Sequence, residues 1–471
     1  MKNLIKTKRF IFIGAILISL FYNVSCKKSK SADKLLLKKE VKDSLNSKPS
    51  IVLSQDQRDN IIKIIENDDV LALEKLINSG VDVNAVFDGF FRGGREVEET
   101  NLTNKDWTML MVASFYNKLK IAQFLLQNGA NINQQNKVGH TALFLACANR
   151  SEEMAKFLLK NNADATIESR DIDGLSTLHW AIDYEWNDVV GELLTKDVDV
   201  NSFSSASGNN ILISALMNNG IKQDVIVKII EKGADINYIN PKDGNNALMW
   251  VCERNFLNVA MKLVSKGANV NILSKNGSTA LSFAAANKSC DTKLIDFLVQ
   301  NGAKINIDEK YGRSALVEAV SSNCLSKVDY LVKRGTEINE KSVGFGGVSP
   351  LTESLWQTNY PITKYLIDNG ANVNIAKDNG ETALLVAVWN EKNYENVDLL
   401  LKKGSDVNKT DVDLQSPLLK AVQYDHYDIA VLLIKNGADT KAVDTYGRSV
   451  KSTLDETVAR TGNKQWFNLK L

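Results

Sequence analysis

The sequence predicts an all-α solenoid in which stacked helix-turn-helix units carry protruding β-turn or hairpin loops. The first observation behind this prediction is a short Gly-Ala-Asx-Val-Asn stretch, which recurs along the chain and is clearest at residues 267–271. The second is its spacing, because successive copies from residue 129 onward start 33 to 36 residues apart. A period this regular over most of a chain is typical of one stacked array rather than of separate globular domains.

A second motif at the start of each unit supports the same fold. It reads Gly-His-Thr-Ala-Leu-Phe-Leu-Ala at residues 139–146 and recurs at 277–284 and 380–387. The glycine permits a tight turn, the threonine can cap the exposed amides of a new helix, and the apolar residues suit a packed helix face. A second apolar stretch follows, and the next Gly-Ala-Asx stretch ends it. Each unit is therefore predicted to be a pair of helices.

Together these motifs resemble the ankyrin repeat, whose signatures are Thr-Pro-Leu-His and Gly-Ala-Asp-Val-Asn. The resemblance covers about residues 54–460, although the signature proline survives only as Pro350 and Pro417 and the histidine only as His179. It implies an all-α ankyrin-repeat solenoid that binds a protein partner through its concave groove and turn tips. It implies no cofactor, no metal and no small-molecule substrate.

The repeat register divides the chain into five segments. The step from Gly80 to Gly129 is 49 residues, so about 16 residues are inserted in one turn. Capping repeats are expected at both ends because a repeat array must cover its exposed core. The predicted segments are a signal peptide at 1–25, a Lys-rich tether at 26–53, an N-terminal capping repeat at 54–105 with an inserted loop at 85–105, ten ankyrin repeats at 106–441 and a degenerate C-terminal capping repeat at 442–471.

The N-terminal stretch predicts export and membrane attachment. Residues 2–9 are basic, and residues 10–22 form an apolar run that is too short for an ordinary spanning helix. The break that follows, Val-Ser-Cys at 24–26, resembles a bacterial lipoprotein signal and implies lipidation of Cys26. Asn23 departs from that pattern, which usually has an apolar residue there, and an uncleaved apolar anchor is the alternative. Both interpretations place the repeats outside the cytoplasm, and lipidation anchors them to a bacterial cell-envelope membrane, facing the periplasm or the surface.

The charge distribution argues against a nucleic-acid partner. The formal net charge is +1, with +4 on residues 1–25 and +5 on residues 26–53, so residues 54–471 carry −8. A nucleic-acid-binding array would need a basic stripe. The basic tether suits anionic lipid headgroups instead.

No residue pattern indicates catalysis, and the chain is predicted not to be an enzyme. His140, His179 and His426 fall in three different units, and no pair of them has metal-ligand spacing. His179 occupies the place of the ankyrin family's structural histidine. The enzyme alternative is chemistry in the inserted loop at 85–105, which would need a second cluster of residues brought to it in space.

The four cysteines of the repeats are interpreted as thiols. Cys147 and Cys252 occupy the same helix position three units apart, which is too far for a disulfide. Cys290 and Cys324 lie near the helix–helix turns of adjacent units and could approach one another. Buried or semi-buried thiols are nevertheless the preferred interpretation for this pair.

Aligned aromatic residues are the main candidates for partner binding. In ankyrin arrays the two residues after the small alanine pair of each first helix line the concave groove, and six of the twenty residues aligned there are aromatic. They are Phe115, Tyr116, Tyr184, Trp356, Trp389 and Tyr424. The last three fall in consecutive units, so stacking should set them in a row, and exposed aromatic side chains are typical anchors of protein interfaces. The alternative is that each ring packs against its neighbouring helix.

Other side chains complete the predicted binding surface. Long loops on repeat arrays often lie on the binding face, which adds the aromatic residues of the insertion: Phe87, Phe90 and Phe91. Charged residues replace apolar ones beside the aromatic row and predict a polar rim: Glu318, Glu353 and Lys420. Trp180 and Trp250 precede the small alanine position and are predicted to be core residues. An envelope scaffold without a localised binding site is the alternative function.

Overall fold

A computed structural model describes residues 53–87, 106–306, 312–342 and 344–469. The predicted lipidation site Cys26 and the candidates Phe90 and Phe91 lie outside the described residues, as does the side chain of Phe87. The chain divides into two compact blocks. The N-terminal block comprises the described residues up to Val138, and the C-terminal block comprises those from Gly139 onward.

The N-terminal block contains two helix pairs and a short pair of strands. The strands run antiparallel, with the backbone of Phe87 opposite that of Trp107, and so hold the two flanks of the predicted insertion side by side. The elements are α1 (Gln55–Glu66), α2 (Val70–Asn78), β1 (Val86–Phe87), β2 (Trp107–Thr108), α3 (Met109–Phe115) and α4 (Leu119–Gln127).

The C-terminal block is a stack of helix pairs that ends in a longer helix. The first helices of successive pairs pack against one another, and so do the second helices. The helices are α5 (Ala142–Ala148), α6 (Glu152–Lys160), α7 (Thr177–Asp183), α8 (Asn187–Leu194), α9 (Ile211–Met217), α10 (Gln223–Glu231), α11 (Ala247–Glu253), α12 (Leu257–Ser265), α13 (Ala280–Ala286), α14 (Lys293–Gln300), α15 (Ala315–Ser321), α16 (Leu325–Lys333), α17 (Pro350–Trp356), α18 (Tyr360–Asp368), α19 (Ala383–Ala387), α20 (Tyr394–Lys402), α21 (Pro417–Gln423), α22 (Tyr427–Lys435) and α23 (Val450–Thr461). Single 3₁₀ turns lie at Glu391–Asn393 and Lys464–Asn468. The predicted all-α solenoid class is confirmed.

The first helices begin where the second motif places a capping side chain. Thr141 Oγ accepts a hydrogen bond from the Phe144 amide at 3.2 Å. Asn210 and Asn246 replace the threonine in their repeats and cap with their side-chain oxygens. Each cap satisfies one of the amides that a helix leaves unpaired at its first turn. The capping role predicted for this position is confirmed.

In seven repeats of the C-terminal block, the last asparagine of the Gly-Ala-Asx-Val-Asn stretch or its variant forms a pair of hydrogen bonds with the next repeat. Asn271 Nδ2 donates to the Gly302 carbonyl at 2.9 Å, and its Oδ1 accepts from the Lys304 amide, also at 2.9 Å. The glycine ahead of it, Gly267, has φ +93°, a left-handed conformation that ends α12. The same pair of hydrogen bonds to the next repeat recurs at Asn201, Asn237, Asn306, Asn339, Asn374 and Asn408. The terminal asparagine therefore fixes the register of the stack.

The interpretation of all four repeat cysteines as thiols is wrong for one pair. Cys290 and Cys324 are joined by a disulfide, with their Cα atoms 5.4 Å apart. Stacking two turns of adjacent repeats brings these residues within bonding range, which sequence position alone left open. Cys147 and Cys252 are free and fully buried, as the thiol interpretation has them. No helix among the described residues is long and apolar enough to cross a membrane.

Candidate functional site

The aromatic row lies where first helices end in three consecutive repeats. Trp356 is the last residue of α17, Trp389 follows α19, and Tyr424 follows α21. Trp356 is 64% exposed and Trp389 is 38% exposed, whereas Tyr424 is half-buried. The row therefore presents one almost free indole beside two partly supported rings.

Two of the three rings form a contact pair. The ring centroids of Trp389 and Tyr424 are 4.8 Å apart with an interplanar angle of 33°. Tyr424 also lies 6.0 Å from the ring of His426. Aromatic pairs at this separation gain favourable energy beyond the area that they bury. The pair is thus a fixed apolar feature, and Trp356 stands one repeat before it.

A network of charged side chains contacts the buried part of Trp389. The indole Nε1 of Trp389 donates to Glu381 Oε1 at 3.1 Å, and the same oxygen accepts from Lys420 Nζ at 3.0 Å. Lys420 Nζ also contacts Asp411 Oδ2 at 2.9 Å and lies 5.1 Å from the Trp389 ring centroid. Lys377 Nζ reaches the other Glu381 oxygen at 3.0 Å. Two carboxylates and two ammonium groups thus balance, and together they orient the indole.

The pKa of the Glu381 carboxyl shows how the network favours the charged form. Burial raises the pKa, because the side chain is only 9% exposed. Hydrogen bonds from Asn379, Lys377 and Lys420 outweigh that effect and lower the pKa to about 2. The carboxylate therefore stays ionised, and keeps the indole hydrogen bond, throughout the physiological pH range.

This shift predicts an acid-sensitive contribution to stability. The pKa of Glu381 is lower in the folded chain than in the unfolded chain, so its contribution is complete above about pH 4.5 and is lost as the pH falls toward 2. The full contribution is about 3 kcal/mol. We expect the difference in free energy of unfolding between the wild type and Glu381→Gln to shrink between pH 6 and pH 2.5, measured by denaturant titration. The exposed Glu395→Gln serves as the control, and a difference that stays constant with pH would contradict the assignment.

The predicted polar rim is wrong for two of its three members. Lys420 is 2% exposed and Glu353 is 8% exposed, so both lie beneath the surface rather than beside the row. Glu353 accepts a hydrogen bond from Ser321 Oγ at 2.9 Å and pairs with Arg313 at 2.9 Å. Glu318 is part-buried and pairs with Arg313 at 3.6 Å. A charged side chain buried at such a position needs a partner of opposite charge, which Arg313 supplies to Glu353 and the carboxylates of Glu381 and Asp411 supply to Lys420.

The N-terminal aromatic candidates are packed more tightly than predicted. Phe115 is 7% exposed and contacts Trp107, with ring centroids 5.5 Å apart, so it offers almost no surface to a partner. Tyr116 is half-buried, and its pKa is raised mainly by this burial and secondarily by a hydrogen bond with Glu66. For Phe115 the packing alternative describes the structure better than the binding prediction does.

Tyr184 lies in an aromatic cluster of its own. It stacks on Trp180 at a centroid distance of 5.7 Å, and the Arg150 guanidinium lies 5.1 Å from its ring centroid. Trp180 and Trp250 were predicted to be core residues, but both are only partly buried.

The three histidines hold backbone groups. His179 Nδ1 accepts from the Ser176 amide at 3.1 Å, and burial lowers the pKa of the ring to about 4. One ring nitrogen of His140 lies 3.0 Å from the Arg170 carbonyl, and one of His426 lies 2.9 Å from the Val388 carbonyl. Within the described parts of the chain, no group of His, Cys, Asp or Glu side chains could hold a metal ion.

Comparison with known proteins identifies the repeats. A family profile described as "Ankyrin repeats (3 copies)" matches residues 61–171, 212–309, 248–342 and 355–444, which together exceed half of the chain.

The similar relatives come from several kinds of organism. The human B-cell lymphoma 3 protein is 34% identical over 134 residues, covering 28% of this chain and 29% of that protein. Its mouse homolog is 27% identical over 258 residues, covering 54% of this chain and 49% of the homolog. A putative ankyrin repeat protein of Rickettsia bellii is 28% identical over 172 residues, covering 36% and 22%. The chain spans less than half the length of each of these relatives.

Proposed function

The chain belongs to the ankyrin-repeat family of protein–protein interaction modules, and on that premise we propose that it binds a protein partner through Trp356, Trp389 and Tyr424. The observation that carries the proposal is the 64% exposure of Trp356 beside a fixed Trp389–Tyr424 pair. Large exposed aromatic side chains dominate the energy of many interfaces. The proposed role is noncatalytic.

The contacts that Trp389 makes with Glu381 and Tyr424 favour tight binding. The Trp389 indole already has its hydrogen-bond acceptor in Glu381, and its neighbour Tyr424 limits its motion. A side chain fixed before binding loses less conformational entropy when the partner docks. Because the Trp389 Nε1 proton already has its acceptor in Glu381, the partner is expected to contact the exposed part of the ring with apolar groups.

The test is capture of a partner from membranes that contain the full-length chain. Crosslinking followed by pull-down should recover one predominant protein, and replacing the three rings by Ala should remove it while the fold is kept. A scaffold without a localised site is the second candidate, motivated by the length of the array. Removing terminal repeats one at a time separates the two, since a scaffold should lose function gradually and a localised site abruptly.

We further propose that the array is tethered to a bacterial envelope membrane through lipid on Cys26. The support is the order of basic, apolar and Val-Ser-Cys segments in residues 2–26. One acyl chain gives only marginal membrane binding, so additional chains or the basic tether at 26–53 should share the attachment.

Lipidation predicts a specific labelling result. Cells that make the wild-type chain and receive a labelled fatty acid should incorporate the label into the protein, whereas the Cys26→Ala variant should lose at least about nine-tenths of it. Cys147→Ala is the matched control because that thiol is fully buried in the repeats. Retention of the label by the Cys26→Ala variant would refute attachment at this residue.

A further inference from the structure

The turn between α13 and α14 is longer than its counterpart in the preceding repeat. Six residues, 287–292, separate these helices, whereas three residues, 254–256, separate α11 from α12. A longer turn has more backbone groups that need hydrogen-bond partners. Residues at the start of α16, in the next repeat, supply several of them.

Three side chains around the start of α16 hold this turn. Cys324 forms the disulfide with Cys290. Ser326 Oγ donates to the Cys290 carbonyl at 2.8 Å. Lys327 Nζ donates to the carbonyls at the end of α13: those of Ala284 at 3.0 Å, Ala285 at 3.1 Å and Asn287.

Lys327 is unusual for its place in the repeat. The corresponding position carries an apolar core residue in most other second helices, such as Met154, Val259 and Ile362, and the neutral Asn396 in α20. Lys327 is 1% exposed, and burial lowers the pKa of its ammonium to about 8. Its three carbonyl partners lie at a helix C-terminus, where a positive charge is favourable. The buried lysine therefore binds the turn between α13 and α14 from the adjacent repeat. The turn and the start of α16 together form the junction between these two repeats.

We propose that the Cys290–Cys324 bond is a permanent staple between adjacent repeats, closed in an oxidising compartment, and that Lys327 holds the turn in position for closure. In closure each thiol loses its proton, one S–S bond forms, and two electrons pass to the disulfide of an exchange partner, which leaves as two thiols. Disulfides persist outside the reducing cytoplasm. The staple thus gives the compartment of the repeats independently of Cys26 lipidation and of partner binding.

The remaining cysteines of the repeats fit this assignment. Cys147 and Cys252 are 0% exposed, and burial raises the pKa of both thiols, that of Cys147 to about 12. Thiolates attack disulfides and thiols do not, so neither residue competes with Cys290 or Cys324 for the bond. Cys290 is exposed, which leaves it open to an exchange partner.

The first test measures the bond in cells. Cells that make the full-length chain are quenched in acid, and their free thiols are alkylated with an isotopically light reagent. The disulfides are then reduced and the released thiols are alkylated with the heavy form of the same reagent. Mass spectrometry reads the label at Cys290 and at Cys324. Cys290 and Cys324 should carry the heavy label, while a chain lacking residues 2–25 and retained in the cytoplasm should carry the light one. Light label at both sites of the full-length chain would overturn the staple, and heavy label in the cytoplasmic chain would overturn the compartment.

The second test measures what the bond does. The bond closes a loop between residues that are 34 apart in sequence. Reduction should therefore raise the equilibrium constant for unfolding this junction roughly 30- to 1,000-fold. Hydrogen exchange of the junction's backbone amides measures this change. The Cys290→Ser, Cys324→Ser double variant should match the reduced wild type and not respond to reductant. Equal protection of the junction in the oxidised and reduced wild type would overturn the proposal.

The role of Lys327 has its own readout. Reoxidation of the reduced, folded chain by oxidised glutathione should be at least about tenfold slower in Lys327→Met, because the turn is no longer held beside Cys324. Lys333→Met is the matched control, since Lys333 lies on the same helix with its side chain 71% exposed. Equal rates in the two variants would show that Lys327 does not position the turn.

Discussion

Trp356→Ala is expected to weaken partner binding at least about 30-fold, the effect of losing one interface anchor worth about 2 kcal/mol. The same change should alter the free energy of unfolding by less than about 0.5 kcal/mol, because Trp356 is 64% exposed and a surface substitution removes little packing. Binding and stability are thus separable at this residue. The measurement is the affinity for the captured partner, compared with the denaturant midpoint of the same variant.

The other two rings need a different design. Trp389 and Tyr424 contact each other, so replacing either one also removes packing and a small part of the stability. The triple Ala variant should abolish capture, and its unfolding midpoint shows how much of the array remains folded. Phe203→Ala is the matched control because Phe203 is 54% exposed in the same block and lies outside the row. Equal capture by the triple variant and the wild type would sink the assignment of the site.

Lys420→Met is expected to lower the free energy of unfolding by about 3–5 kcal/mol, the usual cost of removing one partner from a buried ion pair. The change leaves Asp411 buried without its ammonium partner, and it leaves Glu381 with the ammonium of Lys377 alone. It also removes the cation from the face of the Trp389 ring. Thermal and denaturant unfolding measure the loss.

Two comparisons isolate the buried network as the cause. Lys402→Met removes a lysine whose side chain is 70% exposed and pairs only along its own helix, so it should cost less than about 0.5 kcal/mol. Combining Lys420→Met with Glu381→Gln and Asp411→Asn should recover most of the lost stability, because no unpaired buried charge remains. A Lys420→Met variant as stable as Lys402→Met would show that the network does not support the row.

Much of the fold could be predicted because short-range sequence signals determine each repeat. Turn glycines, capping residues such as Thr141 and apolar helix faces act over a few residues, so a single sequence shows them. Their recurrence removed the ambiguity that one copy would leave. The part of the chain from 88 to 105 has no such period, and the aromatic candidates predicted there remain predictions.

The candidate site could be predicted only in part. Alignment of the repeats selected Trp356, Trp389 and Tyr424 as candidates, but it gave the same weight to Phe115, which packs against Trp107 in the N-terminal block. It also missed Glu381 and Asp411. A lysine at the apolar position of Lys420 was the available signal, because a buried ammonium requires carboxylates nearby.

The sequence by itself determined the helix pairs, their register and the interval at which side chains return to the same face. These follow from interactions between residues near in the chain, which recur at each period. Only the tertiary structure decided which of those side chains remain exposed, that Lys420 and Glu353 are buried, and that Cys290 meets Cys324. The physical reason is that burial and long-range pairing depend on what the adjacent repeat places opposite each residue, about 30 to 40 positions away in the chain.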